Sequence, residues 1–494
     1  MKKTILLLLM LAMLLCACNA SIPATTGANK SGNLDPLCDH TDANVDEWCD
    51  GCGGDVTVEL DFYAINDLHG VFCDTDEKTG VAKLTTFLKN AYADPEEYEI
   101  LLSSGDMWQG SVESNSNHGA LITEWMNEMG FVSMTLGNHE YDWGSSYISS
   151  NAALAEFPFL GINIIDENVT APYCQSSVVV ERGGVRIGII GAMGDHLSSI
   201  SGDFSDGIGF ISGDALTNMV KAEATRLRQE GCDLIVYSVH DNTGSYDASL
   251  SDGYVDLVFE AHSHSTYTKQ DSFGVYHVQS GGYNSGMSFV NICYNLATDS
   301  YVVETVQNMK YSQYSTAALQ GNPVVEQLFN KYFQEENPYT KVLGTNAARR
   351  NSSTILKQVA KLYMEKGQAA WGDQYDIVLS GAYMSCRDPY ELPAGDVTYS
   401  QLTSLLPFDN DLVLGSISGK DLKQRFIFTD NNKYYCSFDA GLADKIVDTQ
   451  RYYIITDTYS STYAPNNITE VARLDGVYAR DLLRDFIAAG GWSK

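Results

Sequence analysis

Basic residues are scarce in this chain. Its 494 residues include 31 Lys and Arg against 63 Asp and Glu, so the formal net charge is −32 at pH 7. A surface of this sign repels nucleic acid backbones and anionic membranes, and neither is an expected partner. A small phosphate substrate stays compatible with it, because bound metal ions reverse the local field. The length exceeds that of one ordinary core, so two sizeable domains are expected.

Long hydrophobic runs are also nearly absent. The exception, residues 5–15, follows two lysines and is too short for an ordinary membrane span, which is typical of an export signal. Residues 15–18 resemble a bacterial lipobox, and this predicts lipidation of Cys18. Ordinary signal cleavage near Ala17 or Ala20 is the alternative. In both cases the folded part is expected outside the cytoplasm. If Cys18 is lipidated, the anchor would hold it to the outer face of the cytoplasmic membrane or to the cell surface.

Cysteines are few and unevenly placed. Of the 11, three lie with one histidine in a polar stretch over residues 19–55 that is predicted to be a flexible tether: Cys38, His40, Cys49 and Cys52. This set is compatible with a small structural zinc site. In an exported protein, a disulfide with one leftover thiol fits equally well. Most of the dispersed cysteines that follow are predicted to be buried small hydrophobic residues.

Histidines are few as well, and their placement is the most informative feature of the chain. Five of the nine lie at the ends of short apolar runs, where carboxylates and an amide accompany them, at residues 64–69, 101–106, 136–140, 236–240 and 259–264. In open α/β sheets, ligands gather beyond the carboxyl ends of strands. Divalent metals accept this mixture of oxygen and imidazole ligands. The sequence therefore predicts that the five run ends meet at one metal site.

The order of apolar patterns divides the chain into segments. A signal peptide over residues 1–18 and a tether over 19–55 precede an alternating α/β region over 56–310, a linker over 311–341 and a second α/β region over 342–494. In the first region and the linker, strands are predicted at residues 56–65, 185–190, 234–239 and 255–259, and helices at 81–91, 215–230 and 323–334. In the second region, a helix is predicted at 353–366 and strands at 377–379, 412–418 and 452–456.

The ordered run ends resemble the calcineurin-like metallophosphoesterases, and within them the exported 5′-nucleotidase and UDP-sugar hydrolase family. Residues 80–84 resemble the family's first helix, and residues 392–399 and 406–410 resemble its 5′-nucleotidase C-terminal domain. The resemblance implies an α/β fold: an N-terminal metallophosphoesterase domain of two packed mixed β-sheets flanked by helices over residues 56–310, and a smaller α/β substrate-binding domain over 342–494.

The resemblance also implies a site for two divalent ions. The first ion would be held by Asp67, His69 and His264, the second by Asn138, His240 and His262, with Asp106 bridging both. Such a pair lowers the pKa of a shared water and stabilises the charge on a phosphoryl group during in-line attack by the bridging hydroxide. Zn, Mn, Fe, Co and Mg all remain compatible with these ligand types.

Two further residues are implied in catalysis. His139 follows the ligand Asn138 and in the family faces the substrate without binding metal, while Asp142 would orient its imidazole. Without the motif, Asp142 would be interpreted as a turn residue.

The substrate end is implied by the second domain. In the family, this domain binds the nucleobase and the phosphate. The matching residues here are Phe408 and Tyr459, which would stack on the base, Asn410, whose side-chain amide would contact it, and Arg349, Arg350 and Arg387, which would bind phosphate. Two segments depart from the family. Residues 380–387 replace a Gly-Gly-Gly-x-Arg stretch, and the segment after Tyr459 lacks the usual glycines.

These observations favour an extracytoplasmic phosphohydrolase that converts nucleoside 5′-phosphates to nucleoside and phosphate. The same chemistry on UDP-sugars, cyclic nucleotides or non-nucleotide phosphate esters is a second hypothesis, motivated by the altered loops. A catalytically inactive surface binding protein is a third, and the presence of every inferred metal ligand disfavours it. A hinge between the domains near residues 311–345 is a further expectation from the resemblance.

Overall fold

The computed structural model describes residues 56–74, 79–93, 97–166, 174–200, 204, 207–241, 246–316, 319–334, 337–338, 340–383, 386–387, 390–428 and 434–493. The predicted export signal, the tether and its Cys/His cluster lie outside these residues. Among the helices that are described, none has the length and apolar character needed to cross a bilayer.

The first domain alternates strands and helices along the chain. Its strands are β1 (Thr57–Ile65), β2 (Glu97–Ser103), β3 (Ser133–Thr135), β4 (Phe159–Leu160), β5 (Ile164–Asp166), β6 (Ser177–Arg182), β7 (Val185–Met193), β8 (Ile208–Phe210), β9 (Leu234–His240), β10 (Leu257–Glu260), β11 (Thr266–Gln270), β12 (Tyr276–Ser280), β13 (Gly286–Asn295) and β14 (Ser300–Lys310). Its helices are α1 (Ala82–Ala91), α2 (Val112–Asn115), α3 (Ala120–Met129), α4 (Ser145–Leu154) and α5 (Gly213–Gln229).

Two six-stranded mixed sheets form the centre of this domain, in the orders β14-β13-β1-β2-β3-β4 and β11-β12-β10-β9-β7-β6. Strands β1 to β4 are parallel in the first sheet, and β7, β9, β10 and β12 are parallel in the second. The carboxyl ends of β1, β2 and β3 therefore lie at one edge of the first sheet, and those of β9 and β10 at one edge of the second. This arrangement positions the polar residues that follow each strand.

The two sheets pack face to face through fully buried apolar side chains. Phe62 of β1 and Phe259 of β10 place their ring centroids 6.5 Å apart, and Ile100 and Val236 belong to the same core. Helix α5 covers the outer face of the second sheet with Val220 and its neighbours. Helices α1 and α3 cover the first sheet, and the domain is thus a layered α/β/β/α structure.

A linker with two helices, α6 (Tyr311–Tyr314) and α7 (Pro323–Tyr332), connects the domains. Asn322 caps α7 by accepting a hydrogen bond from the Val324 N–H, and proline occupies the first turn, where its missing N–H costs nothing. Buried Val325 and Leu328 attach α7 to the core of the first domain.

The second domain is smaller. Its strands are β15 (Val342–Asn346), β16 (Arg350–Asn351), β17 (Ile377–Tyr383), β18 (Glu391–Leu392), β19 (Gly395–Thr398), β20 (Leu412–Ser418), β21 (Tyr434–Phe438), β22 (Arg451–Asp457) and β23 (Thr469–Leu474), and its helices are α8 (Ser352–Trp371), α9 (Tyr399–Leu405), α10 (Gly419–Leu422), α11 (Leu442–Lys445), α12 (Thr458–Thr462) and α13 (Ala479–Ala488). A five-stranded sheet, β21-β17-β22-β20-β23, packs against α8, whose Ile355, Val359 and Tyr363 share a core with Leu414 and Ile455.

The structure confirms the α/β class and the two-sheet first domain. The helix predicted for α8 ends one residue before Gly367, whereas the observed helix continues to Trp371. Glycine is tolerated at position 367 inside the helix because it permits close contact with the sheet. A Cβ there would approach Cγ1 of Ile455 to 2.5 Å.

Candidate metal centre

The first group of predicted ligands follows β1 and β10. Asp67, His69 and His264 each place one ligand atom so that all three lie within 4.8 Å of one another. Nε2 of His69 lies 3.0 Å from Nε2 of His264, which in turn lies 3.4 Å from Oδ1 of Asp67. Residues that follow two strands far apart in sequence thus converge on one point.

The second group follows β2, β3, β9 and β10. Asp106, His240 and His262 form a set of the same size, with Nε2 of His240 lying 3.2 Å from Oδ2 of Asp106. Oδ1 of Asn138 joins them, at 3.3 Å from Nε2 of His240 and 2.9 Å from Nδ1 of His262. The four residues form one mixed oxygen and nitrogen set.

Asp106 lies with the second group in this arrangement. Its Oδ2 faces His240, and its Oδ1 accepts a hydrogen bond from the backbone N–H of His139 at 2.8 Å. Its predicted bridging of both ions stays a prediction.

The backbone at the ligands is unusual. Asp67, His69, Asp106, His262 and His264 all have φ between 49° and 69°, the left-handed region that non-glycine residues rarely adopt. Such conformations cost free energy, persist only when the surroundings enforce them, and concentrate at functional sites. They turn each chain sharply after its strand and aim the ligand side chains toward one another.

Hydrogen bonds assign the lone pairs in these groups. Nδ1 of His69 lies 2.8 Å from the Gln109 carbonyl oxygen, and Nδ1 of His240 lies 2.8 Å from that of Ser104, so each Nδ1 donates to a carbonyl and each Nε2 is directed at the other ligand atoms. Nε2 of His240 then faces two further acceptors, the oxygens of Asp106 and Asn138. A bound cation suits these converging atoms; without one, Asp106 outweighs the effect of burial and raises the pKa of His240 to about 10, so that a proton takes this place.

The titration of the same groups is consistent with cation binding. Burial, and the neighbouring His240, lower the pKa of His262 to about 3, so its imidazole is neutral and available as a ligand. Burial also lowers the pKa of His69, despite the nearby Asp106. Oδ1 of Asp67 is buried without a hydrogen bond. The residues present therefore fit a pair of divalent ions.

His139 lies beside the second group and pairs with Asp142. Its Nδ1 lies 2.7 Å from Oδ2 of Asp142, and both side chains are about nine-tenths buried. Burial alone would lower the pKa of His139, but the carboxylates of Asp142 and Asp106 outweigh it and raise the pKa. Nη2 of Arg387, from the second domain, lies 3.0 Å from Nε2 of His139. Because arginine is a donor only, Nε2 accepts here, and the ring proton resides on Nδ1.

Glu140 is the last residue of the third run end, but the sequence pattern of that run assigns it no role. In the structure its buried carboxylate accepts hydrogen bonds from the backbone N–H groups of Asp106, Met107 and Gly137, at 2.7–2.9 Å. It thereby fixes the loop that carries Asp106 relative to the loop that carries Asn138. Its position three residues after Gly137, which caps the short helical turn Asn138–Tyr141, is the sequence signal for this role.

Two aromatic stacks on the ligands are also missed by the sequence pattern. Tyr283 stacks on His69 with ring centroids 4.8 Å apart, and His196 stacks on His262 with centroids 3.7 Å apart and planes 17° from parallel. Neither residue belongs to a run end, so pattern alone could not find them.

The structure brings part of the predicted substrate set to this site. The Phe408 ring stacks on that of His139 with centroids 5.8 Å apart, and the Arg387 guanidinium lies 4.9 Å from the Phe408 centroid. Asn410 lies two residues further along the same loop and is half-buried. Burial raises the pKa of Tyr459 to about 12, while Arg387 is close enough to oppose that shift.

The other two arginines are engaged elsewhere. Arg349 forms a bidentate pair with Glu391 and is largely exposed. Arg350 lies 5.4 Å from the Trp492 ring centroid and donates to Oδ1 of Asn346. Their assignment to phosphate stays a prediction, which these contacts do not support.

Comparisons with known proteins divide the chain in the same way. Residues 60–266 match the calcineurin-like phosphoesterase family, and residues 336–438 match the 5′-nucleotidase C-terminal domain. Together these matches cover more than half of the chain.

Individual relatives span most of its length. An apyrase of Tabanus yao is 26% identical over 412 residues, 74% of this chain and 72% of its own. A 5′-nucleotidase of Vibrio cholerae is 23% identical over 501 residues, 88% of this chain and 86% of its own. The crystal structure of a 5′-nucleotidase precursor from Thermus thermophilus superimposes with a TM-score of 0.69 at 16% identity, covering 88% of this chain and 96% of that one. The chain thus belongs to the calcineurin-like metallophosphoesterases, phosphoric ester hydrolases with a dinuclear divalent metal site, and it carries the 5′-nucleotidase C-terminal domain.

Proposed function

We propose that this protein is an exported 5′-nucleotidase that hydrolyses nucleoside 5′-phosphates to nucleoside and phosphate. In this proposal Asp67, His69 and His264 hold one ion, and Asp106, Asn138, His240 and His262 hold the other. Divalent ions bound there supply an activated water and positive charge for the phosphoryl oxygens. The observation that carries the proposal is the contact of Arg387 and Phe408, from the 5′-nucleotidase domain, with His139 beside the metal groups.

His139 and Asp142 act as a catalytic pair. Asp142 accepts a hydrogen bond from Nδ1–H at 2.7 Å and fixes the imidazole, so that Nε2 is directed at Arg387 of the second domain. With a substrate in place, protonated Nε2 donates to the leaving oxygen or steadies the charge that develops on it. The pKa of His139, raised by Asp142 and Asp106, favours this protonated form.

Arg387 provides the phosphate contact of the second domain. Its guanidinium already points at Nε2 of His139, and its planar donors suit the paired oxygens of a phosphate. A substrate phosphate placed between the two side chains would replace Nε2 of His139 as the acceptor for Arg387, and the two side chains must move apart from their 3.0 Å contact to admit it.

The aromatic residues of the second domain support a nucleoside as the leaving group. Phe408 lies against both His139 and Arg387, and the charge of Arg387 is near enough to Tyr459 to oppose the rise of its pKa. A nucleobase offers a flat face of the kind that aromatic side chains bind by stacking. The names of the relatives, 5′-nucleotidase and apyrase, agree with this assignment.

A panel of substrates tests the proposal. Phosphate release from 5′-AMP, UDP-glucose, a cyclic nucleotide and 4-nitrophenyl phosphate is measured with the full chain and added Mn²⁺ or Zn²⁺. The expected result is a kcat/KM for 5′-AMP above that of the aryl ester, and a loss of this preference in Phe408→Ala. Equal hydrolysis of 5′-AMP and the aryl ester in the unaltered protein would reject nucleotide recognition.

A non-nucleotide phosphate ester is the second candidate, and one contact favours it. Tyr383 lies within residues 380–387, where family members carry glycines, and its ring centroid lies 5.4 Å from that of Tyr459. This ring occupies space beside the proposed base site. In Tyr383→Gly, a rise in kcat/KM for 5′-AMP relative to 4-nitrophenyl phosphate would indicate that Tyr383 restricts the nucleobase.

We further propose that residues 1–18 direct export and that Cys18 is lipidated, which attaches the folded domains to a membrane through residues 19–55. The charged start, the short apolar run and the lipobox-like ending support this. In cell fractionation, the unaltered protein is expected with membranes and Cys18→Ala in the soluble extracytoplasmic fraction. A soluble location for both proteins would favour ordinary signal cleavage.

A further inference from the structure

His262 is held differently from His69 and His240, two other histidines of the metal groups. Nδ1 of His69 and Nδ1 of His240 each donate to a backbone carbonyl, and such bonds orient ligand rings. His262 turns Nδ1 toward Asn138, and its Nε2 makes no hydrogen bond to another described residue. A ligand ring without that anchor can rotate away from its metal.

His196 supplies a flat surface at this ring. The imidazoles of His196 and His262 stack with centroids 3.7 Å apart and planes 17° from parallel, and the His196 ring also meets His240 edge-on at 6.2 Å. His196 is 9% exposed, so it is buried against the ligands and has little surface for substrate.

The segment that carries His196 is itself fixed. Nε2 of His196 lies 3.2 Å from Oδ1 of Asp241, the residue after the ligand His240. Gly194 donates its N–H to the His240 carbonyl, and a Cβ at Gly194 would lie 2.3 Å from Cγ of Asp241. Glycine at this position therefore allows the His196 loop and the His240 loop to approach closely.

We propose that His196 is a positioning residue for the second metal ion, holding His262 in its ligand orientation by ring stacking, with the close approach of the Gly194 and His240 loops holding His196 in place. The proposal rests on His262 being a ligand in the function proposed above. It predicts that a flat ring at position 196 is what matters, and that a ring nitrogen there is dispensable.

Metal titration separates these possibilities. Chelator-stripped full-length protein is titrated with Zn²⁺ by calorimetry, which gives the stoichiometry and affinity of each ion. His196→Leu keeps apolar volume and removes the flat ring, and we expect about 10- to 100-fold weaker binding of one of two ions, the range typical for residues that orient metal ligands. His196→Phe restores the ring, and its affinity is expected within about threefold of the unaltered protein, since stacking needs no ring nitrogen.

A second variant identifies the affected ion. His264→Ala removes a ligand of the first group and is expected to leave one ion bound. Adding His196→Leu to this variant should weaken the binding of the remaining ion, because His262 is one of that ion's ligands. His118→Leu is the matched control: His118 stacks on Tyr147 with centroids 4.0 Å apart, outside the metal groups, and both Zn²⁺ affinities should be unchanged.

Three outcomes overturn the inference or its basis, and they are distinguishable. If the unaltered protein binds no Zn²⁺, the proposed function fails. If it binds two ions and His196→Leu binds both with unchanged affinity, the positioning role of His196 fails. Equal weakening in His196→Leu and His196→Phe also rejects ring stacking, even where circular dichroism shows both variants to be folded.

Discussion

Three backbone N–H groups converge on the Glu140 carboxylate, which makes this side chain the link between two ligand loops. Oε2 accepts from Asp106 and Gly137, and Oε1 accepts from Met107. In Glu140→Gln one acceptor oxygen becomes a donor, so at least one of these N–H groups loses its partner. Since an unsatisfied buried group costs about 1–3 kcal/mol, the free energy of unfolding in urea should fall by that amount.

A matched exposed glutamate controls for this change. Glu128 lies on α3 and approaches Lys89 only at 3.9 Å, with half of its side chain exposed. Glu128→Gln should change the unfolding free energy by less than about 0.5 kcal/mol. Equal effects at the two positions would contradict the role assigned to Glu140.

Asp61 provides a pH-dependent prediction away from the metal site. Burial, with the nearby Glu99 and Glu59, raises its pKa from 3.8 to about 6, while a hydrogen bond from Asn291 opposes the shift. The folded protein therefore binds the Asp61 proton more tightly than the unfolded chain does. Stability is lost as the pH rises from about 4 to about 6, and the loss is complete above that range.

Asp61→Asn should remove this loss. At pH 7.5 the variant is expected to be more stable than the unaltered protein by about 1–3 kcal/mol, and the difference should shrink near pH 4. The amide oxygen of the new side chain can still accept from Asn291. Urea unfolding at both pH values measures the difference, and a variant that is less stable at pH 7.5 would refute the interpretation.

The His139 and Asp142 pair predicts a separation of turnover from metal binding. His139→Gln should lower kcat by about 10²- to 10⁴-fold, the usual contribution of a proton-transferring group, with both ions still bound. Asp142→Asn should lower kcat less, since it leaves Nε2 in place but disturbs its tautomer. Elemental analysis alongside the kinetics checks this prediction. Loss of metal in His139→Gln would indicate that His139 is a metal ligand.

At the scale of elements, short helix α2 carries one of the contacts that join the domains. Oδ1 of Asn115 accepts from the Gly110 N–H, and its Nδ2 donates to the Pro407 carbonyl at 2.9 Å. Arg480 holds the same loop of the second domain through Asp409. Asn115 thus connects the first domain, beside its metal groups, with the loop that carries Phe408.

Asn115→Ala should therefore raise KM for 5′-AMP more than it changes metal affinity. A hydrogen bond of this kind contributes about 0.5–1.5 kcal/mol, so a loss of about 2- to 10-fold in kcat/KM is expected. Ser116→Ala is the neighbouring control, because the Ser116 hydroxyl donates to the Val112 carbonyl at the start of the same helix. Equal losses in the two variants would argue against a specific contact between the domains.

Strand ends could be predicted from the sequence because a single residue pattern defines them. Asp67, His69 and His240 follow or end apolar runs, and parallel pairing brings such ends to one edge of each sheet. The left-handed backbone at the ligands could not be predicted, since it depends on the closing contacts of the site. The same holds for His196, whose role arises from the approach of two loops, and for Arg387, whose contact with His139 depends on how the domains meet.

For the whole molecule, the charge of the chain and the contact between its domains explain what each domain brings to the site. A chain with a net charge of −32 attracts an anionic substrate only where cations are concentrated, and the two ligand groups are such a place. The first domain carries the candidate metal ligands and the His139/Asp142 pair, and the second domain brings Arg387 and Phe408 into contact with His139. Residues 311–345, which include α7, stay the predicted hinge.

The most direct test of hydrolysis at this metal centre compares the unaltered protein with Asp106→Ala. Phosphate release from 5′-AMP and metal content are measured for both proteins. The unaltered protein should bind two divalent ions per chain and release phosphate. Because metal ions stabilise the charged transition state by several kcal/mol, Asp106→Ala should be slower by about a thousandfold or more. Hydrolysis by Asp106→Ala within about tenfold of the unaltered rate would contradict the assignment of the reaction to this metal centre.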